Sequence, residues 1–218
     1  MKKRGHPPIY YPISLNISGK RCVVVGGGQV ALRKVRTLLE HKAKVEVISP
    51  DLCSELGQLA ESKEIYILRR KYRAGDLKGA FVAIAAANDR ETNLRVAEEA
   101  QRNAVLVNVA DDAENSDFIL PSYLRQGYIT IAISTGGRSP ALARKIRTRL
   151  EKDFGDEYAS LALLIDEVRA ELKRQEIKVN GDAWQEALDL DLLTDLVMRG
   201  DNEKAKAVLL SNLKRQQR

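Results

Sequence analysis

VVVGGGQVALRKV (residues 23–35) runs an apolar, β-branched strand directly into three glycines and then into a helix. An uninterrupted valine run bounded by glycine reads as a strand buried on both faces, the condition of a central strand in a parallel sheet. The strand is expected over 21–25 (RCVVV). Beyond the glycines, Ala31, Val35, Leu38 and Leu39 recur at i, i+4, i+7 and i+8 and so share one face of a helix packed on a sheet. Further strands are predicted at 44–49 (KVEVIS), 65–68 (IYIL), 81–87 (FVAIAAA) and 104–110 (AVLVNVA). Asn88 with Glu91 three residues on has the form of a capping box, opening a helix that runs to about residue 102. Strands alternating with helices give the α/β class: a doubly wound parallel sheet with right-handed crossovers.

On that scaffold the glycines acquire a role. Gly26, Gly28 and Ala31 match G-x-G-x-x-A at the first strand-to-helix turn. There the first glycine permits the turn, the second lets a pyrophosphate approach the backbone, and the small third residue lets helix and strand pack closely. A dinucleotide is the expected ligand. The acidic residue that usually ends the second strand is missing, since Ile48, Ser49 and Pro50 occupy that region. Asp51 lies just beyond, placed either to reach the adenosine ribose or to cap the helix that follows. No arginine stands at that strand end to receive a 2′-phosphate, which favours NAD over NADP.

The second half of the chain changes character. Residues 117–135 (DFILPSYLRQGYITIAIST) read as two strands joined by a turn near Arg125-Gln126-Gly127. Ser139 followed by Pro140 is a helix start, and Leu142, Ile146 and Leu150 form an apolar stripe along that helix. From about residue 156 the pattern is helical, with Tyr158, Leu161, Ile165, Val168 and Leu172 on one face. Asn180-Gly181-Asp182 punctuates it, and two more helices follow, the first carrying Trp184, Leu188 and Leu192 and the second Val208 and Leu209. The tail 211–218 (SNLKRQQR) is expected to fray. Three parts are expected: a Rossmann-like domain (1–115), a hairpin with its helix (116–152) and a small helical domain (153–218).

Composition sets outer bounds. The chain has 218 residues, 44% hydrophobic and 30% charged, as in an ordinary globular protein. No apolar run approaches the roughly 20 residues of a membrane helix, and the basic N-terminus lacks the apolar core of a signal peptide. Cys22 and Cys53 make neither a disulfide framework nor a metal cluster, which suits the cytoplasm. His6 and His41 sit in no ligand-spaced cluster, so no resident metal is expected. A net charge of +6 points to an anionic partner. With 5% aromatic residues and no recognisable module, a nucleic-acid partner is not expected despite the RKIRTR run.

Four blocks carry a resemblance: YPISLNISGKRCVVVGGGQVALRKVRTLLE, AIAAANDRETN, VNVADDAENSDFILPS and ISTGGRSPALARKIR. In order and spacing they resemble the precorrin-2 dehydrogenase family, which includes the N-terminal module of siroheme synthase and bifunctional dehydrogenase–ferrochelatases, over roughly residues 9–152. The resemblance implies NAD-dependent oxidation of precorrin-2 to sirohydrochlorin, with iron chelation as a further activity of some members and ferrous iron as a substrate. By register of N-V-x-D it places the key acid on Asp111, with Asp112 as the alternative. It places Gln29, Val30, Pro50 and Asp51 along the NAD site, joining Gly26, Gly28, Ala31 and Asn88. Thr135, Gly136, Gly137 and Ser139 are implied to lie near the substrate cleft and at a homodimer interface built from the hairpin and its helix. Arg138 and Arg144 follow the same segment, and arginine pairs carboxylates such as those on the substrate's rim. No methyltransferase module is read here, so the methylations that make precorrin-2 are expected from another protein. An NAD-sensing regulatory module without turnover is the alternative reading, though it gives no account of the NVADD or TGGRSP blocks.

Overall fold

In a computed structural model, residues 9–215 are described, which leaves His6 outside them. Five parallel strands, β1 (Arg21–Val25), β2 (Lys44–Ile48), β3 (Tyr66–Leu68), β4 (Val82–Ala85) and β5 (Leu106–Val109), form a sheet in the order β3-β2-β1-β4-β5. The reversal of strand order between β1 and β4 is the topological switch of doubly wound folds, and ligands bind outside the strands' carboxyl ends at that point. Helices α1 (Gln29–Glu40) and α2 (Ser54–Glu61) follow β1 and β2; α3 (Arg90–Arg102) follows β4.

Alternation along the strands divides the core in two. Cys22, Val24, Val45, Val47, Val82 and Ile84 pack with Ala31, Leu32, Val35 and Leu38 of α1 and Leu56 of α2. Val23, Val25, Ala83, Ala85, Val107 and Val109 pack on the other face with Val96 and Ala100 of α3. Burial pushes the Cys22 thiol up to about 11, so it behaves as a small apolar residue rather than a nucleophile.

The connection from β3 to β4 is held by one carboxylate. Glu99 on α3 is 5% exposed. It accepts from Tyr72 Oη at 2.5 Å and from the backbone N–H groups of Gly75 and Leu77, both at 2.9 Å. In the same segment Arg70 grips Asp76 through two guanidinium nitrogens at 2.8 and 2.7 Å.

The chain divides into two compact units, residues 1–120 and 121–218. In the second, β6 (Ser122–Gln126) and β7 (Ile129–Ile133) form an antiparallel hairpin that packs with α4 (Pro140–Asp153) and α5 (Asp156–Arg174). The expected first strand is shorter than the apolar run suggests. Residues 117–121 are not strand; instead Asp117 exchanges bonds with Val107 on β5, and Pro121 can donate nothing to a ladder. Gly127, with φ 57°, makes the turn, and a Cβ there would sit 2.9 Å from the Cβ of Ala159 on α5.

The last helices are α6 (Gly181–Ala187), α7 (Leu190–Met198) and α8 (Asn202–Arg215), so three follow Asn180 rather than two. The expected first one breaks at Leu188-Asp189, where Asp189 caps α7 by accepting from the Leu192 N–H. Of the tail expected to fray, residues 216–218 lie outside the described residues, while 211–215 continue α8: Leu213 is 1% exposed and joins Leu161, Leu164, Val168, Leu193 and Leu209 in this unit's core. Among the described residues no helix is long and apolar enough to cross a membrane.

Candidate functional site: a dinucleotide cradle and an acidic loop

The glycine loop is shaped by what surrounds it. Gly26 has φ 130°, and a Cβ on it would fall 2.2 Å from the carbonyl oxygen of Ala86, so only glycine lets β1 turn beside β4. Gly27, to which the sequence pattern assigns no role, is the tightest point: its Cβ would stand 1.9 Å from the carbonyl oxygen of Asp51. Cys53 N–H donates to Gly27 O at 2.8 Å, and Ser49 Oγ donates to Asp51 O at 2.7 Å. Together these bonds tie the loop after β2 to the glycine turn. Gly28 is different, because nothing lies within 4 Å of where its side chain would be.

Gly28 is also the N-cap of α1, with no side-chain capping bond and no acid in the first turn. The orphan N–H groups of that turn and the positive end of the helix dipole therefore meet no protein anion of the first turn. An open cradle floored by glycine at an uncapped helix start fits the pyrophosphate of a dinucleotide, and the residues present suit such a cofactor. Gln29 and Val30 are exposed at this helix start, and Ala31 is buried against the sheet. The Gln29 amide lies 3.4 Å from the Glu55 carboxylate on α2, which Ser54 also donates to.

Pro50 and Asp51 are exposed at the end of β2. Asp51 does not cap α2: the N-cap is Cys53, without a side-chain capping bond. Asn88 is exposed after β4, but the cap of α3 is Asp89, whose carboxylate accepts from the Glu91 and Thr92 N–H groups. The hydroxyl and backbone of Thr92 hold Asp89 below the usual carboxylate range, with Lys71 adding to them. Asn93, absent from the sequence-based set, clamps the chain just before Asn88 by bonding both the N–H and the carbonyl of Ala87 at 2.9 Å.

After β5 the two neighbouring aspartates differ in their contacts. The Asp112 carboxylate accepts from the backbone and side-chain nitrogens of Asn115, at 3.2 and 2.7 Å, closing a local turn. Asp111 is exposed, with a left-handed backbone at φ 59°. Beneath this loop Lys34 Nζ lies 3.3 Å from Asn108 Oδ1, while Asn108 Nδ2 donates to Phe118 O at 3.0 Å. Burial and the neighbouring Arg33 hold the Lys34 ammonium below lysine's ordinary value, and Asp111 pulls it back up. Sequence reasoning missed both Lys34 and Asn108, since a lysine on an amphipathic helix looks like any solvated charge.

Thr135, Gly136, Gly137, Arg138, Ser139 and Arg144 belong to the second unit, and there they form one turn and one helix start. Ser139 Oγ accepts from Leu142 N–H with Pro140 behind it, as expected. Thr135 Oγ1 accepts from Ser139 N–H at 3.0 Å, and Gly136 and Gly137 both have positive φ. Arg138 and Arg144 are exposed. The expected apolar stripe on α4 is not buried: Leu142 is 52% exposed and Ile146 37%, because Ala143 is the residue that packs inward.

Comparison with known proteins agrees with this architecture. A family model for NAD(P)-binding domains matches residues 13–122, and one for the central region of sirohaem biosynthesis proteins matches residues 126–152. The chain is 39% identical over 200 residues to a siroheme synthase of Chromobacterium violaceum, covering 91% of this chain and 42% of that protein. It is 36% identical over 202 residues to the siroheme synthase of Thioalkalivibrio sulfidiphilus, covering 92% and 41%. The chain thus spans about two fifths of the length of these relatives. A solved structure of SirC, a precorrin-2 dehydrogenase, shares the fold with a TM-score of 0.70 at 24% identity, covering 94% of this chain and all of that one. With the glycine cradle in place, the chain belongs to the NAD(P)-binding family whose model matches residues 13–122, and residues 126–152 are similar to the central region of sirohaem biosynthesis proteins.

Proposed function

We propose that the chain is a precorrin-2 dehydrogenase that uses NAD to form sirohydrochlorin. One observation carries this reading. An exposed carboxylate (Asp111) and an uncapped, glycine-floored helix start occupy the carboxyl end of the same parallel sheet. The reaction converts precorrin-2 and NAD⁺ into sirohydrochlorin, NADH and a proton. When bound, the cofactor supplies the two-electron acceptor. Gly26, Gly28, Gln29, Val30 and Ala31 hold it at the first turn, with Pro50, Asp51 and Asn88 along its rim. Asp111 accepts the proton or orders the pyrrole N–H groups of the substrate, since an exposed carboxylate at neutral pH is both a base and a hydrogen-bond acceptor.

In the second unit, Arg138 and Arg144 pair substrate carboxylates, while Thr135, Gly136, Gly137 and Ser139 shape the turn that presents them. Residues 116–152 act as the dimerisation element of a homodimer, and 153–218 as the helical part. The exposed Leu142, Ile146 and Tyr128 support a second copy as the cover for this surface. The cytoplasm suits the two free cysteines.

An anaerobic spectrum of the protein with freshly generated precorrin-2 and NAD⁺ tests the reading. Sirohydrochlorin and NADH should appear together. They should fall at least 100-fold in Asp111→Asn and stay within fivefold of wild type in Asp112→Asn. Ferrous iron added to the product then tests chelation through the appearance of siroheme. NAD binding without oxidation would reject the dehydrogenase and leave the sensing module.

A further inference from the structure

Lys34 lies on α1, the helix whose first turn forms the cofactor cradle, yet its ammonium reaches Asn108 on β5, two strands away from β1 in the sheet. Asn108 is 7% exposed, and both ends of its amide are engaged: Oδ1 by Lys34 and Nδ2 by the Phe118 carbonyl. That pairing fixes which way the amide points. It also fixes the returning chain, which Asp117 and Ser116 fasten to β5 through Val107 and Val109. Asp111 sits at the turn of this return in its left-handed conformation. The hydrogen-bond partner of a half-buried ammonium is here a neutral amide. Desolvating a cation for a contact that a neutral donor could also make is costly unless the charge itself is used.

We propose that Lys34 is a positioning residue for the acidic loop: its ammonium sets Asn108 and the 110–118 return, and its positive charge acts on Asp111. α1 thereby links the cofactor's cradle to the acid. Two charged groups act on Lys34, Arg33 on its own helix and Asp111 on the loop, and the first, together with burial, makes it lose its proton more readily than an ordinary lysine. The proposal rests on Asp111 being the reacting acid.

The test is the pH profile of precorrin-2 oxidation in wild type, Lys34→Arg and Lys34→Met, with NMR of the Asn108 side-chain amide beside it. Wild-type kcat should fall on the alkaline side, below the ordinary lysine titration near roughly 10.4. Lys34→Arg should keep at least half of kcat and lose that limb, because guanidinium stays charged. Lys34→Met should lose at least tenfold in kcat, with the KM for NAD within twofold. A methionine variant with wild-type kcat, or an arginine variant that keeps the alkaline limb, overturns the proposal. If wild type oxidises no precorrin-2, the dehydrogenase reading fails separately, and NMR still decides. Asn108 amide signals that titrate in wild type but not in Lys34→Met, with lost amide protection over 110–118, support positioning; unchanged signals and protection overturn it.

Discussion

Replacing Glu99 by alanine should unfold the first unit far more easily than its distance from the cradle suggests. The carboxylate is 5% exposed and has three donors: the Tyr72 hydroxyl and the N–H groups of Gly75 and Leu77. Hydrogen bonds to a charged group contribute about 1.5–3 kcal/mol each, and they are not additive. Removing the acceptor strands two backbone donors and one hydroxyl in a site with little access to water. The expected loss is about 3–5 kcal/mol, the scale of a broken buried charge interaction. At about 2–4 °C per kcal/mol for a chain of this size, melting should fall by about 10 °C. Glu99→Gln keeps the shape and should lose about half as much.

The pH dependence has a fixed sign. Burial opposes ionisation of Glu99, but Tyr72 and the two N–H groups outweigh it and hold the carboxyl below the usual glutamate value. The unfolded chain therefore binds the proton more readily. This stabilisation is present above the unfolded pKa, roughly 4.3, and is lost as pH falls through the lower folded value. Thermal melts by circular dichroism between pH 3 and 7, with hydrogen exchange at the Gly75 and Leu77 amides, read both effects. An alanine variant melting within 2 °C of wild type, or showing an unchanged acid slope, would refute the reasoning.

Two further outcomes follow from the cradle and from α4. Gly27→Ala pushes against the Asp51 carbonyl, so it should lower both NAD affinity, at least tenfold by calorimetry, and melting temperature. A Cβ on Gly28 meets no neighbour, so Gly28→Ala should weaken NAD binding to the same degree while lowering melting less than Gly27→Ala, by no more than the loss of a favourable N-cap residue; equal affinity in either variant would contradict the cradle. If the chain forms the proposed homodimer, wild type should scatter as a dimer at micromolar concentration and Leu142→Glu with Ile146→Glu as a monomer; a monomeric wild type would reject the dimer, and a surviving variant dimer would move the interface off α4.

The sheet was legible because its signals are local and repeated. Each central strand is a β-branched or alanine-rich run, and the first glycines mark a turn where backbone meets backbone. Boundaries moved where a polar side chain intervened. Asp89 rather than Asn88 caps α3 because its carboxylate reaches two N–H groups. Asp117, by bonding Val107, keeps FILP out of the hairpin. What stayed hidden in the site depends on contacts distant in sequence. Gly27 is constrained by Asp51, and Lys34 becomes notable only through Asn108, 74 residues away. Motif register favoured Asp111 over Asp112, but the sequence could not show which carboxylate closes the turn, because that depends on where Asn115 folds back.

Hairpin tips are where most proteins accept insertions, tags and new termini. The turn at Gly127 is closed to them, since its α-carbon faces Ala159 with no room for even a methyl group. An affinity tag or a split site placed at 127–128 would pry β6 and β7 away from α5. The linker at 176–180, between α5 and α6, is the better place to open the chain. Its Glu176, Lys178 and Asn180 are exposed while Ile177 and Val179 pack on this unit's core, so the opening belongs at Glu176, where a positive φ already ends α5.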